Sequence, residues 1–156
     1  GSESSKDYVE LAIIPNWRKK LSNSWKKEFE LDGKKWLTVE HYYQGAKFKT
    51  HNPEFYAQFS LDSKSDLSKN PEEAKIAGGK DKNDLRSENI TIDEDFFDGR
   101  NKEVMEKAMK AKFTQNPELA TLLKATKNAK LIQYKPGAPG LTLNNLMTIR
   151  NELLAK

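Results

Sequence analysis

The chain has 156 residues, with 27 Lys or Arg against 23 Asp or Glu, two His and no Cys. Without cysteine there can be no disulfide framework, thiolate metal site or cysteine nucleophile, and two histidines argue against a histidine-rich metal centre, so no metal or cofactor is expected. The small basic excess has both signs interspersed, which suits a phosphate-bearing partner without requiring one.

The length fits one domain with a continuous core. No apolar run could span a bilayer, and the start lacks a signal-peptide pattern, so no membrane partner and a cytoplasmic location are expected. Gly1-Ser2 reads as a cloning scar. Residues 1–8 are set aside as tag or disordered, leaving 9–156 as the domain, and a monomer is expected.

In chain order, Val9–Ile14 is apolar and partly β-branched, which suggests a short edge strand or a core-packing segment, ended by Pro15. Asp32-Gly33 lies between two short apolar runs and predicts a small β-hairpin, since a tight hairpin turn needs positive φ. Thr38 reads as a helix N-cap with Glu40 in the first turn, and the helix is expected to reach about Thr50. Asn52-Pro53 and Asn70-Pro71 start two more helices. Gly78-Gly79 ends the second. Lys80 to Asp95 is polar and unperiodic and reads as a loop. A long helix follows over about 98–115, with Val104, Ala108 and Ala111 on one face and Met105, Met109 and Phe113 widening it. Asn116-Pro117 opens another helix, Ala129–Tyr134 suggests a short strand, residues 136–140 a turn-rich loop, and residues 144–154 a closing helix. The expected fold class is mainly α, a compact helical domain with a small N-terminal β-hairpin.

The helix after Thr38 stands out. Glu40, Tyr43, Gln44 and Lys47 fall at i, i+3, i+4 and i+7 and share one stripe. Val39, Tyr42 and Ala46 form a second stripe, and His41, Gly45 and Phe48 a third. No face is uniformly solvent-like. The polar stripe is either a surface ladder of weak pairs or a set of groups presented to a cleft. Trp36, Tyr42, Tyr43 and Phe48 crowd around it. Aromatics beside a carboxylate could stack a ribose or base and stabilise a developing cation.

At these residues the sequence resembles the NADAR, or YbiA-like, family. Ser22-Asn23 resembles its entry motif, and residues 31–48 look like its signature helix. Residues 71–80, then 103–113 with 116–119, and finally 145–150 are similar to later family blocks. The resemblance covers nearly the whole chain past Leu21. It implies cleavage of an N-glycosidic bond in ADP-ribose or related ribosyl substrates. Two activities are associated with the family. One removes ADP-ribose from modified guanine in DNA or RNA, and the other hydrolyses phosphoribosylamino-pyrimidine intermediates of riboflavin synthesis. The implied partners are an ADP-ribose-containing substrate and ADP-ribosylated nucleic acid.

By the same resemblance Glu40 matches the family's catalytic carboxylate and Lys47 a lysine on the same face. Lys47, as a neutral amine, could attack an opened ribose C1 as a Schiff base, clamp a phosphate or pair with Glu40. Ser22 and Asn23 would hydrogen-bond the ligand, unless they only close a turn. Trp36 and Tyr43 are stacking candidates, with core packing as the alternative, and Gln44 is a ligand contact. Lys80 falls where diphosphate is expected. Arg86 could join it or be a solvated loop charge. Phe97 stands where many members carry Trp, keeping a stacking face without the indole N–H. Residues 134–140 replace a Trp-Gly-x-Gly loop of many bacterial members, so that loop's contacts do not transfer, which favours ADP-ribose over the riboflavin intermediate. A non-catalytic ADP-ribose-binding module is a further alternative.

Overall fold

The computed structural model describes residues 8–79, 85–133 and 141–155. The fold is mainly helical, with two small antiparallel strand pairs among the described residues. These residues group into two compact units, Asn23–Lys112 and the segments before and after it.

In the larger unit, β1 (Phe29–Leu31) and β2 (Lys34–Trp36) form the hairpin the sequence predicts, with Phe29 opposite Trp36. Asp32 and Gly33 have φ of 56° and 72°, the left-handed pair that a two-residue hairpin loop of right-twisting strands demands. Asp32 also anchors helices. Its carboxylate accepts from the Tyr42 and Tyr56 hydroxyls at 2.5 and 3.1 Å and from Lys49 Nζ at 2.9 Å.

Helix α3 (Val39–Ala46) begins where Thr38 Oγ1 accepts from His41 N at 3.0 Å. It stops short of the expected Thr50. Beyond Ala46 the chain tightens into turns, and its polar backbone atoms find partners elsewhere. Arg100 Nη2 donates to the Ala46 carbonyl, and Asp93 Oδ2 accepts from Thr50 N, each at 2.9 Å. Helix α4 (Pro53–Gln58) and helix α5 (Pro71–Ala77) both pack against α3. Asn70 caps α5 through two backbone N–H groups, those of Glu72 and Glu73. The core here gathers Trp36, Val39, Phe48, Phe59, Ala74, Ala77 and Phe96, all essentially inaccessible. Thus α3 is enclosed on most sides, as its three stripes imply.

The described part of the 80–95 stretch, from Leu85 on, has no long regular element. A wide, irregular turn over Phe96–Arg100 leads into α6 (Asn101–Gln115). Val104, Ala108, Met109, Ala111 and Phe113 are buried along it, the face predicted from spacing.

In the smaller unit, residues 9–14 form no strand and instead pack on the core through Leu11, the second of the two forms expected for them. They contain helix α1 (Val9–Ala12), which packs against α7 (Pro117–Ala125) through Leu11. Glu10, Leu11 and Ala12 favour helix, and both strand pairs are formed by other segments. A second short helix, α2 (Trp17–Lys20), carries no apolar run for the sequence to betray. Strand β3 (Ile132–Gln133) pairs with β4 (Leu141–Thr142), and α8 (Asn144–Leu154) packs on α7 through Leu146 and Ile149. The turn-rich stretch 136–140 lies outside the described residues.

Candidate active site

The polar stripe of α3 is assembled as a connected set. Gln44 Nε2 donates to Glu40 Oε1 at 2.8 Å. Backbone holds the start of the stripe, because Glu40 N donates to the Asn23 carbonyl at 3.0 Å. Glu40 itself is partly exposed.

Lys47 closes the stripe just past the last residue of α3. It is 7% exposed, and its Nζ donates to the Gly78 carbonyl at 2.9 Å. The ammonium lies 5.5 Å from the Tyr43 ring centre and 5.8 Å from that of Phe97. Burial holds the Lys47 pKa below the ordinary lysine value. The Glu40 carboxylate works against that shift and the Arg86 guanidinium adds to it.

The aromatic wall is ordered by edge contacts. Tyr43 meets Phe96 edge-on at 5.4 Å, and Phe96 meets Phe97 at 5.0 Å. Phe96 is buried, while Phe97 is 60% exposed and leaves an aromatic ring open to solvent. The Tyr43 hydroxyl is kept neutral. Burial raises its pKa, Asn101 works to lower it and Glu40 raises it further.

Arg86 is not a solvated loop charge. It is 9% exposed, donates Nη1 to the Ala77 carbonyl at 2.9 Å and lies over the Phe48 ring at 5.1 Å. The reason is tertiary: the C-terminal end of α5 offers it a carbonyl, which no local pattern around residue 86 reveals.

Other sequence candidates fall differently. Trp36 is fully buried, edge-on to Tyr42 at 5.0 Å, with its indole N–H donated to the Leu31 carbonyl at 2.9 Å. It therefore packs the core, the alternative left open for it, and offers no free ring face for stacking. Asn23 reaches the Met105 sulfur at 3.8 Å through Nδ2 and supports Glu40 through its backbone. Ser22 belongs to the other unit, where its hydroxyl donates to the Lys19 carbonyl at 2.7 Å, a turn-closing contact. Gln44 is buried with its N–H on Glu40, so it faces the carboxylate rather than open space. Lys80 lies outside the described residues. Gly78 contacts Lys47, and Phe96 and Asn101 contact Tyr43, although the local pattern around them does not single them out. The Gly78-Gly79 pair is a visible signal, but by itself it marks only a helix end.

No group of three metal-ligating side chains occurs among the described residues, and no described helix is long and apolar enough to cross a membrane.

These features define a mainly helical protein with a carboxylate, a phenol and a buried amine along one short helix, beside an exposed aromatic ring. The NADAR domain model matches residues 9–138, and the chain belongs to that family. It is 29% identical over 140 residues to the N-glycosidase YbiA of Escherichia coli K12, and 28% identical over 140 residues to that of Shigella boydii serotype 4. Each alignment covers 83% of this chain and 65% of the relative, so the chain spans just under two thirds of their length. The solution NMR structure of E. coli YbiA matches with a TM-score of 0.63 at 28% identity, over 87% of this chain and 78% of that one.

Proposed function

We propose that this protein is an N-glycosidase that cleaves the bond between ribose C1 and a guanine nitrogen in ADP-ribosylated nucleic acid, releasing ADP-ribose. The observation that carries the reading is Lys47: a buried amine whose pKa is depressed, on the same helix face as the partly exposed Glu40. Relatives named N-glycosidases support the bond class.

In this mechanism Lys47 is the nucleophile. As a free amine it keeps its lone pair while one N–H still donates to Gly78 O. Attack on C1 forms the C–N bond to lysine, and the bond to the base breaks with its electron pair. Glu40 takes the proton that the amine loses and passes it to the departing base. Opening of the ribose ring gives an iminium at C1. Water adds to that carbon, and collapse returns the lysine and free ADP-ribose. Phe97 and Tyr43 supply aromatic faces for the base or ribose.

The test is incubation with DNA carrying ADP-ribosylated guanine, followed by mass spectrometry. Release of ADP-ribose by the wild type and its loss in Glu40→Gln is the expected result. Full activity in Glu40→Gln would overturn the assignment of the carboxylate. Borohydride during turnover should leave a mass adduct on Lys47, and an unmodified Lys47 would eliminate the covalent step. A parallel assay with a phosphoribosylamino-pyrimidine separates the other N-glycosidase substrate class, and calorimetry with ADP-ribose but no turnover would identify a binding module.

A further inference from the structure

Gln44 has one polar arm in use and one with no partner among the described residues. Its Nε2 serves Glu40, while its Oε1 is buried and accepts no hydrogen bond among the described residues. A buried amide oxygen without a donor is costly, and an apolar side chain of similar shape would avoid that cost. Turning the amide over would set its oxygen against the carboxylate, so the orientation follows from the contact. The amide is retained for its donor, and the donor is aimed at Glu40.

Gly78 shapes the slot that aims it. A Cβ at that position would collide with Gln44 Oε1 and lie 2.9 Å from Gln44 Cβ. The side chain of Gln44 therefore lies directly on the Gly78 backbone, where only glycine leaves room. The carbonyl of the same glycine receives the Lys47 amine. One residue at the end of α5 thus braces both reactive groups of α3.

We infer that Gln44 is a positioning residue. It fixes one oxygen of Glu40 so that the other is presented to the substrate, and Gly78 is required because it lets Gln44 take up that pose. The inference rests on Glu40 being the reacting carboxylate.

Gln44→Met removes the polar atoms at nearly constant shape. On ADP-ribosylated-guanine DNA its kcat should fall by about ten- to a hundred-fold with KM changed by less than about threefold, the pattern of a misaimed catalytic group. Its Tm should change little, because a near-isosteric replacement keeps the packing. In a Glu40→Asp background, where the shorter carboxylate is withdrawn from the amide, Gln44→Met should cause no further loss. Gly78→Ala should lower kcat in the same direction. A raised KM with unchanged kcat would instead make Gln44 a ligand contact, and a lowered Tm with full activity would make it structural. Either result overturns the inference. If the wild type turns over none of the substrates, the functional reading falls, and the contact is still read directly. The Gln44 side-chain amide signals in a nitrogen-labelled sample should move in both Glu40→Gln and Gly78→Ala, and unmoved signals would overturn it.

Discussion

The Arg100 guanidinium and the Asp93 carboxylate meet at 2.8 Å, and between them they secure the end of α3. Arg100 also donates to the Ala46 carbonyl, while Asp93 accepts from the N–H groups of Thr50 and His51 and donates its own N–H to the Lys47 carbonyl. The pair therefore holds the backbone on which Lys47 is mounted. Burial would raise the Asp93 pKa, but the Arg100 hydrogen bond, the two backbone donors and the Arg100 charge outweigh it and hold the carboxylate below its usual range. Asp93 is fully buried, whereas Arg100 is 24% exposed and also pairs with Asp95, so Asp93→Ala should cost about 1–3 kcal/mol in chemical denaturation, mainly for the Thr50 and His51 N–H groups it leaves without an acceptor.

The sign of the pH effect follows from that depression. The pair's stabilisation is complete above the ordinary carboxylate pKa and is lost as pH falls through the lowered native value. In acid titrations followed by circular dichroism, the stability difference between wild type and Asp93→Asn should shrink below about pH 4.

His41 should shape stability in a milder range. Its ring is buried between Thr38 Oγ1 and the Leu67 carbonyl, at 2.8 Å from each. Burial lowers its pKa and the Lys26 charge adds to that, against the raising effect of the Leu67 and Asn70 carbonyls. The unfolded chain then binds a proton at a pH where the folded chain does not, so stability falls as pH drops below about 6.5. Thermal melts between about pH 5 and about pH 7.5, which bracket that value, should show a smaller pH slope in His41→Gln than in wild type.

Lys112 is 2% exposed on α6, and burial lowers its pKa to about 7. Below that value both folded and unfolded chains carry the proton, and the cost of burying the charge is greatest. As pH rises toward the ordinary lysine value of about 10.4, the unfolded chain alone holds the proton, so this cost is relieved. Any Tm advantage of Lys112→Met should be largest near neutrality and shrink as the buffer becomes alkaline. A constant difference across that range would show that Lys112 stays charged in the folded protein.

At Lys47 the depressed pKa has a kinetic counterpart. Protonation removes the lone pair, so the rate should fall as pH drops through the lowered lysine value. Lys47→Arg separates the roles left open by sequence. An arginine keeps the charge for a phosphate but cannot form an imine. Loss of about a hundred-fold or more in kcat would be expected from removing a covalent nucleophile. Near-normal activity would identify an anion clamp.

Local chemistry made parts of this molecule legible in its sequence. Asp32-Gly33 specified a turn that needs two positive φ values, Asn70 specified a cap, and the 3.6-residue spacing of Val104, Ala108 and Ala111 specified α6. The stripe from Glu40 to Lys47 was visible for the same reason. What the pattern could not carry was the environment around each side chain. Arg86 looked solvated because its acceptor belongs to α5, and Trp36 looked available for stacking because its enclosure comes from Tyr42 and Tyr56. The end of α3 depended on Asp93 and Arg100, some fifty residues on. Val9–Ile14 leaves strand and core-packing segment both open because β-branched residues near a proline resemble a strand, and Leu11, buried from a short helix, decides for the second.

The shortness of α3 has a consequence for how this family can vary in length. Glu40 and Lys47 are two helical turns apart, and each added residue rotates the downstream part of a helix by about 100°. A single insertion between them would turn the amine away from the carboxylate while leaving composition and helix propensity intact. Segment length between these two residues should therefore be fixed more strictly than the identity of the side chains filling it, and a one-alanine insertion after Tyr42 should be more damaging to activity than any single conservative replacement of the intervening apolar residues.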